Sequence, residues 1–219
     1  MRLFQTNQSL TPESKTSLTL NTPLGDCLYE FYFQGEDMPP PSFLERTDKE
    51  ILLTTWDQLS YRMECLKMPF QPVLSSDMYV DECWALIWRV LVKKKASINW
   101  KCSLAVPLEG SCETGENLVS CIFEDKDISL SIGTEDEEKI AYRAEKKLWM
   151  PGHLQGHITE KNIVCLRNGL EIYFDQLLPG DGIQTHFLIA WSSTEKRAIS
   201  TWTAVEQSYT VLLQQSGFF

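Results

Sequence analysis

Two of the chain's three histidines, His153 and His157, stand four residues apart in PGHLQGHITEK. On a helix that spacing would present both imidazoles to one metal ion. The local composition opposes a helix, because Pro151, Gly152 and Gly156 interrupt it, and no E-x-x-H motif or third ligand stands nearby. The stretch is expected to be a turn with two exposed imidazoles, and no metal site is assigned. His186 falls in an expected strand, where a packed or hydrogen-bonded imidazole is commoner than a general base. Ser111 and Cys112 lie between glycines in EGSCETGEN but match neither G-x-S-x-G nor a cysteine-enzyme signature. Walker A, G-x-G-x-x-G and kinase-type motifs are absent. No catalytic residue and no cofactor is assigned.

Carboxylates are the one concentrated chemistry. Residues 109–138 hold ten acids against a single Lys126, a local charge of −9 within a chain of net −10. If 118–123 pairs with 128–133, the turn is Glu124-Asp125-Lys126-Asp127, and the other end of the hairpin sets Glu116 beside Glu135. Glu109, Glu113, Asp136, Glu137 and Glu138 would gather at that same end. Such crowding costs self-repulsion and becomes favourable when a basic surface arrives. The plainer alternative is a solvated, solubilising rim. Calcium is the weakest option, since no D-x-D-x-D-G loop is present. Trp149, after Lys146-Lys147 and before Met150-Pro151, reads as a hydrophobic lid or as an interface anchor.

Composition bounds the class. At 43% hydrophobic and 23% charged the chain is globular rather than disordered. The negative balance disfavours nucleic acid. There is no apolar run of about 18 residues and no apolar signal core at the N-terminus, so no membrane partner is expected. Seven cysteines, an odd number without C-x-x-C, argue against a disulfide framework and for a reduced, cytoplasmic setting.

Several elements must position these groups. Cys27, Tyr29, Phe31 and Phe33 alternate as a strand with an aromatic face, before the proline break at 35–43. Thr47 and Glu50 form a capping box ahead of Leu52, Trp56, Leu59, Met63 and Leu66 at 4-3-4-3 spacing, which predicts a core-facing helix over 47–66. A second helix is predicted over 77–94. Ser76 is its cap, acids (Asp77, Asp81, Glu82) lie near its start, and Arg89 and Lys93 to Lys95 lie near its end. The lysines read as helix-end charges rather than a phosphate patch. Strands follow around Ile98 to Leu104, in the 118–133 hairpin, in a type I′ hairpin at Asn168-Gly169, and over 183–191 after the LLPGDG turn. Ile199, Trp202, Val205, Tyr209 and Leu212 predict a C-terminal helix. Residues 134–148 read as helix, capped by Thr134 and Glu137, or as strand.

The expected fold is α+β: a mainly antiparallel sheet of about six to eight strands against two or three helices. It is read as one domain over 1–219, the alternative being a subdivision near residue 107. The expected function is a non-enzymatic protein-binding module of the inhibitor, adaptor or neutralising type. Its acidic surface (Glu109, Glu113, Glu116, Glu135, Asp136, Glu137, Glu138) and Trp149 would meet a basic macromolecular partner. The alternative is a small-molecule-binding protein or enzyme with a cavity between the sheet and helix 77–94, lined by Trp84, Trp88 and Trp100 with His186 as its polar group. A cavity above roughly 300 Å³ holding a titratable residue would favour that alternative.

Overall fold

The alternation read at Cys27, Tyr29, Phe31 and Phe33 is a strand with those four side chains buried. The computed structural model describes residues 18–217 apart from 35, 38, 40, 47–50, 107 and 117. In chain order the strands are β1 (Leu18–Thr22), β2 (Gly25–Phe33), β3 (Glu36–Asp37), β4 (Phe43–Arg46), β5 (Leu52–Asp57), β6 (Tyr61–Pro69), β7 (Glu82–Val92), β8 (Ala96–Leu104), β9 (Ser111–Thr114), β10 (Leu118–Asp125), β11 (Ile128–Glu135), β12 (Ile163–Leu166), β13 (Gly169–Leu177) and β14 (Gly182–Ser192). The α-helices are α1 (Glu137–Lys146), α2 (Arg197–Val205) and α3 (Tyr209–Ser216).

The sheet is not single. The smaller sheet runs β1-β2-β8-β13-β12, with β3 paired to β2 off that path, and the larger runs β4-β5-β6-β7-β14-β11-β10-β9. All pairings are antiparallel. Strands from both sides of residue 107 enter both sheets. The two sheets bury one core between them. A run of rings crosses it: Trp56 to Trp88 at 6.1 Å, Trp88 to Phe31 at 6.2 Å, Phe31 to Trp100 at 5.6 Å and Trp100 to Phe174 at 6.0 Å. A second apolar layer lies on the other face of the larger sheet. There Leu66, Met68, Cys83, Ala85, Ile87, Leu188 and Ala190 meet Ala204 and Val205 of α2 and Leu212 of α3.

Both long helix predictions are corrected. The 47–66 stretch is the β5–β6 hairpin in its described part, and the Thr47–Glu50 box lies outside the described residues. Leu52, Thr54 and Trp56 are buried at a period of two, and Leu59, placed on the helix stripe, is 87% exposed at the hairpin tip. The 77–94 stretch contains β7, preceded by coil. Its apolar character all round has a different cause. Trp84, Leu86, Trp88 and Val90 face the inter-sheet core, while Cys83, Ala85 and Ile87 face the helices. A strand buried on both faces reads like a buried helix. Lys93 to Lys95 therefore mark a hairpin turn, where Lys93 Nζ donates to Asp57 Oδ1 at 2.5 Å.

Other turns shift by small amounts. The Asp125↔Ile128 pair leaves only Lys126-Asp127 in the first turn, with Lys126 at φ 49°. The second hairpin pairs Leu166 with Gly169, so its turn is Arg167-Asn168 and neither residue has positive φ. Gly169 instead begins β13 because a Cβ there would meet the Cys102 carbonyl. The C-terminal helix is two, broken at 206–208, with Ser208 capping α3 through Val211 N. Within 134–148, Glu137–Lys146 form a helix while Thr134 and Glu135 end β11, and the cap is Asp136, whose side chain accepts from Lys139 N at 2.8 Å.

The expectation of free thiols is corrected at one pair. Cys112 of β9 and Cys165 of β12 form a disulfide that joins an edge strand of one sheet to an edge strand of the other. Cys27, Cys65, Cys83, Cys102 and Cys121 are free and buried. No helix among the described residues is long and apolar enough to cross a membrane. Replacing Cys165 with serine is expected to lower stability by about 4 kcal/mol, the loop-closure term for a separation of 53 residues. Denaturant unfolding of C165S beside the oxidised parent checks it; coincident midpoints refute it.

Candidate functional site

The helix layer over the larger sheet leaves a cleft of about 360 Å³, walled by Leu118, Thr134 and His186 from the sheet, Arg143 from α1, and Val205, Glu206 and Tyr209 from the α2–α3 break. The sheet is polar here, where elsewhere the helices cover it with Ala, Leu and Ile. Three elements meet at its floor. β11 ends at Glu135 and turns into α1; α1 returns Arg143 to that carboxylate; β14 passes beneath with Gln184 and His186.

Arg143 holds the floor together. Its Nη1 donates to Glu135 Oε2, Nη2 to the Gln184 carbonyl at 2.7 Å and the Trp149 carbonyl at 3.3 Å, and Nε to the Leu148 carbonyl at 3.2 Å. Its Cζ lies 4.0 Å from the Tyr209 ring centroid. Arg143 is 3% and Glu135 7% exposed, so both charges need this partnership. His186 is 2% exposed, and Nδ1 stands 4.0 Å from Glu135 Oε2, beyond hydrogen-bond reach, with no partner. Burial drives its pKa from the ordinary 6.5 down to about 4; Arg143 pushes the same way and Glu135 opposes. The imidazole is neutral at pH 7, and its own carbonyl accepts from Thr134 Oγ1 at 2.7 Å. The Tyr209 hydroxyl oxygen is likewise buried without a well-formed hydrogen bond; burial raises its pKa, and the adjacent Arg143 guanidinium opposes the rise.

The expected acidic residues divide into two groups. The hairpin register is shifted by two residues from expectation: Leu118, not Glu116, stands opposite Glu135, so Glu116 and Glu137 each lie two residues beyond that pair, still at one end. Glu135 turns inward to Arg143, and Asp136 is buried as the α1 cap, its carboxyl raised chiefly by burial. Placing those two on an exposed surface is therefore corrected. Glu109 pairs with Arg167. Glu113, opposite Ser120, is exposed, as are Glu116 and Glu138, while Glu137 is half-buried. These four form no ion pair among the described residues. Trp149, at φ 49°, spreads its ring over Arg89 at 4.1 Å and remains partly exposed.

One acid escaped the sequence reading. Glu206, the residue after α2, lines the cleft, and its carboxyl is raised by burial and then by Glu116. A Cβ on Gly115 would lie 2.9 Å from the Trp202 ring and 3.5 Å from Glu206 Oε1, so the β9–β10 connection runs directly past this carboxylate. Nothing local in AVEQSY marks Glu206, and the eight-residue separation of Glu135 and Arg143 across a strand–helix turn gives no pattern either.

The remaining candidates are not brought here. His153 sits in a one-turn 3-10 helix (Gly152–Leu154), with Nε2 3.5 Å from Asp181 Oδ2, and His157 is exposed beyond it. That stretch is the expected turn. Among the described residues no group of three or more His, Cys, Asp or Glu is placed to hold a metal ion. Cys112 is in the disulfide, and Trp84, Trp88 and Trp100 are in the inter-sheet core, which corrects their assignment to a cavity wall. The chain matches no known protein-family model, and no curated protein is significantly similar to it in sequence.

Arg143→Leu is expected to cost about 3–5 kcal/mol, because Glu135 is left buried and unpaired. Arg143→Leu with Glu135→Leu should recover much of this, and a double-mutant cycle by thermal unfolding reads the coupling; additive losses refute it. His186 gives a pH signature. Above pH 6.5 the imidazole is neutral in both states; below it the unfolded chain gains a proton that the folded chain refuses until about pH 4. Its contribution is full above 6.5 and is lost as pH falls toward 4, by about 3 kcal/mol. Asp136 and Glu206, with raised carboxyls, oppose this trend. The wild-type minus His186→Gln difference in stability between pH 7 and pH 4 isolates the imidazole, and parallel curves would contradict its burial as neutral.

Proposed function

We propose that the protein is a non-enzymatic binding module that engages a basic macromolecular partner through the acidic surface around this cleft. One observation carries the proposal. Glu206 lines the cleft, Glu116 from a connection far apart in sequence stands near enough to raise its carboxyl, and neither forms an ion pair among the described residues. Glu113, Glu137 and Glu138 extend the same sign of charge along the neighbouring edge. Unpaired like charges destabilise the free protein and become favourable against a positive surface. Trp149 and Tyr142 are partly exposed aromatics near the same α1 segment, of the type that anchors interfaces. The basic partner accords with the charge of the chain, which disfavours nucleic acid.

The cleft itself favours the alternative of a small-molecule pocket, since it exceeds the expected size and contains a titratable imidazole. It lies under α1 and the α2–α3 break, not beside a helix at 77–94. The cytoplasmic setting expected from the cysteines is not carried forward, because the Cys112–Cys165 bond is of a kind that persists in oxidising surroundings.

Affinity capture from native extract tests the acidic surface. The recovered partner should be basic, and its binding should weaken by about tenfold or more between about 0.05 and about 0.5 M salt. Combined Glu113→Gln, Glu116→Gln, Glu137→Gln and Glu138→Gln changes should weaken it at low salt. Capture that ignores both salt and these changes would overturn the proposal.

A further inference from the structure

The cleft holds hydrogen-bonding atoms without partners as well as charge. We infer that it is the seat of an arginine side chain, whose guanidinium reaches the buried His186 and Tyr209 polar atoms from a mouth lined by Glu206. The inference rests on the basic-partner proposal and names the group that such a partner inserts.

The resident charges exclude an anion. Arg143 has committed donors to Glu135 and to three backbone carbonyls, so it is neutralised and offers little to a ligand. The mouth carries Glu206 with Glu116 near it, and Lys139 as the exposed cation on the rim. At the floor, His186 Nδ1 is 4.0 Å from Glu135 Oε2 and has no hydrogen bond. If Nδ1 carried the proton, it would face a carboxylate just out of reach. As the unprotonated nitrogen it is an acceptor, and a donor seated between it and the carboxylate could satisfy both. The Tyr209 oxygen, with the Arg143 guanidinium beside its ring, is the second polar atom in the same wall without a hydrogen bond. Buried polar atoms left without partners are costly, and two that converge beside a carboxylate mark a place built for a donor-rich group.

A guanidinium fits better than an ammonium. It is planar, carries five N–H donors in fixed directions, loses water more readily and packs against rings. Tyr142 and Tyr209 flank the cleft, and the aliphatic stem can lie along Leu118 and Val205. The cavity of about 360 Å³ accommodates such a side chain with its ordered water.

Titration of the full chain with N-acetyl-arginine amide, followed by amide and side-chain NMR shifts, tests this directly. Shifts should saturate at residues 134–143, 186 and 206–210. The neutral isostere N-acetyl-citrulline amide and the compact cation N-acetyl-lysine amide should each bind at least about tenfold more weakly. Glu206→Gln should weaken the arginine probe by about tenfold, and Tyr209→Phe several-fold, with unfolding midpoints of both variants showing that the fold is kept. Citrulline or lysine binding as tightly as arginine, shifts centred elsewhere, or no saturable shift would each overturn the inference. A salt-sensitive basic partner that still binds after such a result leaves the surface proposal standing without this anchor. A probe that seats in the cleft while no basic partner is recovered leaves the anchor standing and removes the surface proposal.

Discussion

The larger sheet is covered on both faces, and most of what is unusual in the molecule follows from that. β7 and β14 lie at its middle, with rings of the smaller sheet on one side and α2 and α3 on the other. Fully burying each large apolar side chain contributes about 1.5–3 kcal/mol, so these strands can hold few polar residues at low cost. Where polar residues do occur, as at Gln184, His186 and Glu135, the covering layer either bonds them or leaves them facing a gap. The cleft is that gap.

Arg143 sets its shape. A single guanidinium links α1, the segment after it, the end of β11 and the backbone of β14. Such a pair is weak as a source of net stability but strict in geometry, since neither charge can be buried alone. Beside it, His186 and Tyr209 stand in the cleft wall with unmet hydrogen-bonding capacity. The pair also removes Glu135 from the surface, so the acidic edge is built by Glu113, Glu116, Glu137, Glu138 and Glu206 rather than by the continuous run 135–138. Of these, Glu206 lines the cleft.

The disulfide has a complementary role at the edges. β9 is four residues long and exposed throughout, as are Phe43, Leu44 and Glu45 of β4 at the opposite edge of the larger sheet. Cys112–Cys165 holds it to β12 of the other sheet, close to the connection that carries Glu116. Holding that edge also fixes where the loop acids stand relative to α2.

Local pattern alone determined a good deal. One-sided alternation marked β2 and β8, because a strand with one covered face repeats every two residues; the 118–133 hairpin showed the same apolar period with small serines on its other, also buried, face, and its pairing set Glu116 and Glu135 at one end, two residues out of the expected register. Gly and Pro marked the 151–157 turn, while the 134–148 segment read as helix or strand with its cap two residues early, at Thr134 rather than Asp136. Tertiary structure alone decided the rest. Whether Trp84 to Val90 is helix or strand depends on a second covering layer, which no window of sequence contains. Whether Glu135 faces water or Arg143 depends on how α1 folds back, and Glu206 and His186 join the site only because α2 and β14 arrive beneath the same gap. Burial on both faces erases periodicity, and long-range ion pairing has none to begin with.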